Sequence, residues 1–217
     1  MNATNRFKST ALAALVSATL AGFLPSAPAY AKGPQQRVVL DGSAVAVADK
    51  YSADAAEQIF KQGGNAVDAA VAIAFTLAVT YPEAGNIGGG GFMTVYIGGK
   101  PYFLDYRERA PLAATKDMYL DKDGNVVKGM SLYGDRAVGV PGTVAGMWEA
   151  QKRFGKLKWK QVLAPAIRYA RDGFNVDEQL AQRGAEASKE FGGKTNFDQY
   201  FSGLKAGANF KQPELAA

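Results

Sequence analysis

The run Ala66–Val79 constrains this chain more than any other stretch, because it is apolar or small on nearly every side of a helix and offers no polar stripe to water. Such a helix persists only where protein covers all of its faces, so at least one layer of structure is expected on each side of it. Asn65 is placed to cap its start, and Asp68 falls in its first turn, where the helix dipole favours a carboxylate. The rest of the chain has to supply the cover.

The flanking segments suggest what that cover is. Ala44–Ala48 alternates small and β-branched residues, which predicts a short buried strand. Ser52 is a candidate cap for a helix running to about Gln62 and halted at Gly63-Gly64. Phe92–Ile97 and Pro101–Tyr106 predict two strands joined at Gly98-Gly99, a two-residue turn of the kind hairpins use. Asp121–Asn125 reads as a second turn rather than a calcium loop, since the downstream glutamate of such a loop is missing. Helix returns over Thr143–Phe154, with Thr143 as candidate cap and Gly155 as stop. Trp159, Leu163, Ala166, Ile167 and Ala170 share one face of a further helix ending at Gly173, and Asp177–Phe191 predicts another with a thin apolar stripe. Few strands followed by buried helices predict a layered α/β or α+β domain.

The chain contains no cysteine and no histidine. That removes thiol nucleophiles, Ser-His-Asp triads, disulfides and His or Cys zinc sites at once, and no cofactor is expected. The N-terminus has the three parts of a secretory signal: basic Arg6 and Lys8, the apolar run Ala11–Leu24, and Ala29-Tyr30-Ala31 as a small-x-small cleavage site. Residues 1–31 are therefore expected to be removed on export to the periplasm or beyond, leaving 32–43 as a flexible entry and 44–217 as the folded portion. The apolar run is shorter than the roughly 20 residues that cross a bilayer, so no membrane attachment is expected after cleavage. Losing Arg6 and Lys8 takes the formal charge from +5 to +3. That is too weak to argue for nucleic acid, and the cluster Lys152, Arg153, Lys156, Lys158 and Lys160, accompanied by Glu149 and Asp172, reads as solvated surface.

Two features invite a chemical reading. Gly88–Gly91 by itself suggests a phosphate loop, but no Lys-Ser/Thr follows and the next segment reads as strand. The expectation is a tight backbone passage, where a Cβ would collide or φ must be positive. Arg107 stands just after a strand, flanked by Asp105 and Glu108. A guanidinium there either grips a ligand carboxylate through two charge-assisted hydrogen bonds or closes a structural salt bridge to a neighbouring acid, and the residues alone leave both open. Asp105 and Arg109 are candidates for orienting it.

Five segments taken in order resemble one family: Gly63-Gly-Asn-Ala-Val-Asp-Ala-Ala70, Asn86-Ile-Gly-Gly-Gly-Gly-Phe92, Leu104-Asp-Tyr-Arg-Glu-Arg-Ala-Pro111, Ala137-Val-Gly-Val-Pro-Gly-Thr-Val-Ala-Gly146, and Val162-Leu-Ala-Pro-Ala-Ile-Arg168 with Ala170-Arg-Asp-Gly-Phe174. Together they look like the front of the large subunit of the γ-glutamyltransferases, from about Ala44 to the last residue. The resemblance implies an N-terminal-nucleophile hydrolase with four αββα layers, of which this chain would carry an incomplete portion. It implies that Arg107 holds the α-carboxylate of a γ-glutamyl group. It also implies glutathione or another γ-glutamyl compound as donor, amino acids or peptides as acceptors, and a small subunit of the same precursor as partner.

In the resembled enzymes, self-cleavage exposes a threonine at the start of the small subunit, in a Thr-Thr-His context, and that threonine attacks the γ-amide. With no histidine the chain holds no such motif, so no catalytic residue is expected in it. Gln212-Pro-Glu-Leu-Ala-Ala217 resembles a family segment that opens a further helix, which leads us to expect a truncated polypeptide, inactive and poorly stable alone. Two alternatives accompany this reading: a related cephalosporin or glutaryl acylase, and a non-catalytic periplasmic protein that binds γ-glutamyl compounds through Arg107.

Overall fold

The computed structural model describes residues 42–217. The expected signal peptide and most of the expected flexible entry lie outside the described residues. Helix α1, Lys50–Lys61, starts from Asp49 rather than Ser52. The Asp49 carboxylate accepts from the Ser52 N–H at 2.7 Å and from its hydroxyl at 2.6 Å, so the serine is bound by the cap instead of forming it. Helix α2, Ala66–Thr80, is the apolar helix, and Asn65 caps it as expected. The Asn65 amide oxygen accepts from Val67 and Asp68, while Asp68 accepts from the Asn65 N–H at 2.7 Å, closing a reciprocal capping box.

Strands β1, Phe92–Ile97, and β2, Lys100–Asp105, form an antiparallel hairpin in the register Phe92 with Asp105 and Ile97 with Lys100. Gly98 and Gly99 both have positive φ (59° and 77°), as a tight hairpin turn requires. Helix α3 spans Thr143–Phe154 and α4 spans Trp159–Asp172. A small unit follows: β3 (Phe174–Asn175), α5 (Glu178–Phe191), α6 (Phe197–Phe201), β4 (Asn209–Phe210), which pairs with β3, and α7 (Pro213–Ala216). Asp121–Asn125 is a turn, its first carboxylate accepting from the N–H groups of Asp123 and Asn125.

Most of the cover that α2 requires comes from α1, α3, α4 and the hairpin, while Ala70, Ile73, Ala74 and Leu77, one stripe of the helix, are only half-buried. Val67, Ala69, Val71 and Ala72 of α2 share one core with Ile59 of α1, Val95 and Leu104 of the hairpin, Met147 and Ala150 of α3, and Val162 of α4. A second core, under α5 and the β3–β4 pair, joins Val79, Ala166, Ala170, Phe174, Leu204 and Phe210. The α+β class stands. One face of the hairpin lies on helices, and the opposite face, with Phe92, Tyr96 and Phe103, is 54%, 75% and 63% exposed.

Asp68 does more than cap. Fully buried, it also accepts from Gln151 Nε2 at 2.6 Å and from the N–H groups of Lys156 and Leu157 at 2.9–3.0 Å, so one carboxylate ties the start of α2 to the α3–α4 connection. Burial alone would raise its pKa, but the hydrogen bonds from Asn65, Gln151, Leu157 and Lys156 outweigh it and hold the carboxyl below its ordinary range.

Ala44–Ala48 is not a strand: it has no ladder partner among the described residues and is largely exposed. Strand propensity without a neighbouring edge leaves backbone groups to water. Thr143 is the first residue of α3 and not its cap; Gly142 holds that position, and no side chain caps the helix.

Candidate functional site

The site is built where three loops meet at the end of the hairpin. Gly91 and Tyr106 exchange backbone hydrogen bonds of 3.3 and 3.0 Å, extending the ladder by one pair. Asp105 Oδ1 then accepts from the Arg107 N–H at 3.0 Å, the side-chain turn that aspartate favours. Two residues on, Arg109 and Val140 exchange bonds of 3.1 and 2.8 Å, and the N–H groups of Gly142 and Thr143 both donate to Gly89 O, at 2.7 and 3.0 Å. The glycine run, the Arg107 loop and the first turn of α3 are thus laced together through their main chains.

Glycine is required here by space. A Cβ on Gly90 would stand 2.6 Å from both Tyr106 O and Glu108 N, and one on Gly142 or Gly146 would collide with Tyr106. Of the two grounds the sequence reading allowed for Gly88–Gly91, the steric one applies at Gly89, Gly90 and Gly91; none of the four has positive φ, and at Gly88 a Cβ would meet nothing.

Arg107 projects from this laced loop with its side chain 61% exposed. Its Nε donates to Glu108 Oε2 at 2.9 Å, and its guanidinium lies 5.7 Å from the centre of the Phe92 ring. The neighbouring-acid pair is therefore present, but between two solvated side chains it contributes little, and a ligand carboxylate can compete for the guanidinium. Glu108 is held below the ordinary carboxylate range by its own N–H, by Arg107 and by the Gly90 N–H. Of the two candidates for orienting Arg107, Asp105 binds its main chain, whereas Arg109 is tied through its own backbone to Val140 and has no hydrogen bond to Arg107.

Arg107 lines a cleft of about 720 Å³ walled by residues 103–109 on one side and by Val140–Gly142 and the α3 residues Ala145, Gly146, Glu149 and Arg153 on the other. Sequence reading missed the α3 wall. Its only signal was the spacing of Gly142 and Gly146, one helical turn apart. The basic cluster is surface, as expected: Lys152 pairs with Glu149 at 2.9 Å, and all five cations are exposed. Among the described residues no group of three or more His, Cys, Asp or Glu is placed to hold a metal ion, and no helix is long and apolar enough to cross a membrane.

Comparison with known proteins gives this geometry its context. Residues 52–217 match the model of the gamma-glutamyltranspeptidase family. A glutathione hydrolase proenzyme of Pseudomonas aeruginosa is 64% identical over 177 residues, which cover 82% of this chain and 32% of the relative. Among solved structures, gamma-glutamyltranspeptidase from Pseudomonas nitroreducens, complexed with L-DON, superposes with a TM-score of 0.79 at 65% identity, covering 82% of this chain and 53% of that one. A cephalosporin acylase from Bacillus halodurans shares the fold at a TM-score of 0.68, with 28% identity and coverage of 85% and 38%. The chain thus spans about a third of the length of the curated relative it matches. Five ordered motifs, the glycine-laced loop under Arg107 and a family match over most of the chain lead to one conclusion: this chain belongs to the γ-glutamyltranspeptidase family.

Proposed function

We propose that the protein carrying this chain cleaves the γ-glutamyl amide of glutathione and related compounds, and passes the acyl group to water or to an amino acid or peptide acceptor. The observation that carries the reading is Arg107, an exposed guanidinium on a rigid loop at the wall of a 720 Å³ cleft. Its fork suits the α-carboxylate of a glutamyl group, which it would bind by exchanging the solvated Glu108 for the ligand. The Asp105 turn and the glycine lacing hold the loop so that little freedom is lost on binding.

The nucleophile in this reading is a threonine freed by self-cleavage at the start of a small subunit, with its own amine as base, contributed by sequence outside these 217 residues. The open face of the hairpin, with Phe92, Tyr96 and Phe103, is the surface on which a second sheet layer would pack. Export follows from the signal sequence, with the mature protein starting at Lys32 in the periplasm or outside the cell. The acylase alternative is not favoured, given 28% identity against 64% and 65% for the γ-glutamyl enzymes.

The test is γ-glutamyl-p-nitroanilide turnover by the complete gene product and its Arg107→Ala variant. The variant is expected to raise KM about a hundredfold, and an unchanged KM would remove Arg107 from the carboxylate site. The 217-residue chain alone is expected to release no p-nitroaniline. Release would mean that the nucleophile lies within it.

A further inference from the structure

The Arg107 side chain is steadied only weakly by its own partners, a solvated pair with Glu108 and the Phe92 ring that its guanidinium lies over, so its place in the cleft depends on the loop that carries it. We propose that Tyr106 is the positioning residue for Arg107 and that Gly146, with Gly91, forms the socket that seats it. This inference rests on the reading of Arg107 as the carboxylate-binding residue.

Tyr106 lies between the hairpin and α3. A Cβ on Gly91 would stand 3.1 Å from the hydroxyl end of its ring, and one on Gly146 would overlap the ring at its Cβ end. Its hydroxyl donates to Phe92 O at 3.3 Å, a long bond that adds little to a seat already set by shape. Burial pushes the phenol above its ordinary pKa, so the ring stays neutral at working pH. The main chain is held at the same point: Gly91 bonds Tyr106 on both sides, and Gly142 lies so close that a Cβ there would strike Tyr106 O. Gly142 and Gly146 sit one turn apart, so the same face of α3 receives both the ring and the carbonyl of Tyr106.

Arg107 is the next residue along the chain. If the ring is displaced, the peptide that carries the guanidinium moves with it. A filled socket would shift Arg107 relative to the cleft without altering any group that reacts, and a displacement of that kind weakens substrate binding rather than chemistry.

The experiment uses the complete gene product with γ-glutamyl-p-nitroanilide. Gly146→Ala and Tyr106→Leu are expected to raise KM about tenfold while kcat stays within about threefold. Tyr106→Phe, which keeps the ring, is expected to retain most of the affinity that Tyr106→Leu loses. Leu204→Ala, in the second core, serves as the stability control: its Tm falls while KM stays. If Gly146→Ala and Tyr106→Leu lower Tm but leave KM unchanged, Tyr106 is core filling and the inference is overturned. It is also overturned if Tyr106→Phe is as damaging as Tyr106→Leu, since the hydroxyl would then be the operative group. Arg107→Ala separates the two claims. A raised KM there, with none in Gly146→Ala, removes the positioning role alone, whereas an unchanged KM removes the carboxylate reading beneath it.

Discussion

The surroundings of α2 and those of the β1–β2 hairpin differ in kind. Helix α2 finds most of its cover within the chain: α1, α3, α4 and the inner face of the hairpin bury Val67, Ala69, Val71 and Ala72, the stripe Ala70, Ile73, Ala74 and Leu77 stays half-buried, and the one charge at its start, Asp68, is met by four donor groups. The hairpin is covered on one face only, with Val95 and Leu104 inside and Phe92, Tyr96 and Phe103 outside. Stability is therefore concentrated at α2, and the surface that needs a partner is concentrated at the hairpin. The Arg107 cleft lies on the border between the two. A binding loop gains from that position, being rigid on the helical side and open on the other.

That contrast can be broken by substitution. Ile59→Ala, under α2, is expected to cost about 3 kcal/mol in chemical denaturation, because a fully buried side chain leaves a cavity in a packed core. A loss below about 1 kcal/mol would mean that this core is loosely packed. Asp68→Asn is expected to cost about 2 kcal/mol, since an amide cannot accept from donors on every side and leaves some of them orphaned.

The same carboxylate sets an acid limit. Its folded pKa lies below the ordinary value of 3.8, so its contribution is fully present above that value and is lost as pH falls through the lowered one. Denaturation midpoints should be flat from neutral pH to about 5 and drop below about 4. In Asp68→Asn that part of the drop should vanish, and an equally steep drop there would assign it to other acids.

At the hairpin the expected sign is different. Phe103→Thr should change the stability of the 217-residue chain by less than about 0.5 kcal/mol, because the ring is mostly exposed and gives up only its stacking on Phe92. It should nevertheless reduce concentration-dependent association, which light scattering reads directly. A large loss of stability would show that the outer face is covered in solution. The smallest effect belongs to Glu108→Gln, which removes the solvated partner of Arg107 and should leave Tm unchanged within error.

Much of this was legible in order along the chain. The all-round apolar run is α2, Asn65 caps it, Gly98-Gly99 turns the hairpin, and Gly155 and Gly173 end their helices, because each of these signals is local: period, cap or turn. Arg107 was legible as a candidate because the strand, the turn and the flanking acids are contiguous in sequence. Ser52 misled because Asp49, three residues earlier, is an equally competent cap, and Ala44–Ala48 misled because a strand is defined by its neighbour.

By itself the sequence determined the principal helices and the hairpin, the lack of thiol and imidazole groups in these 217 residues, and the arginine at the end of the hairpin, all of which follow from residue identity and short-range spacing. Only the tertiary structure decided that Asp68 bridges two segments 88 residues apart, that α3 walls the cleft, and that Gly90, Gly142 and Gly146 are glycines because Tyr106 and the Arg107 loop press against them. Those facts concern which surfaces meet, and close approach between distant segments leaves no local period for a sequence to display.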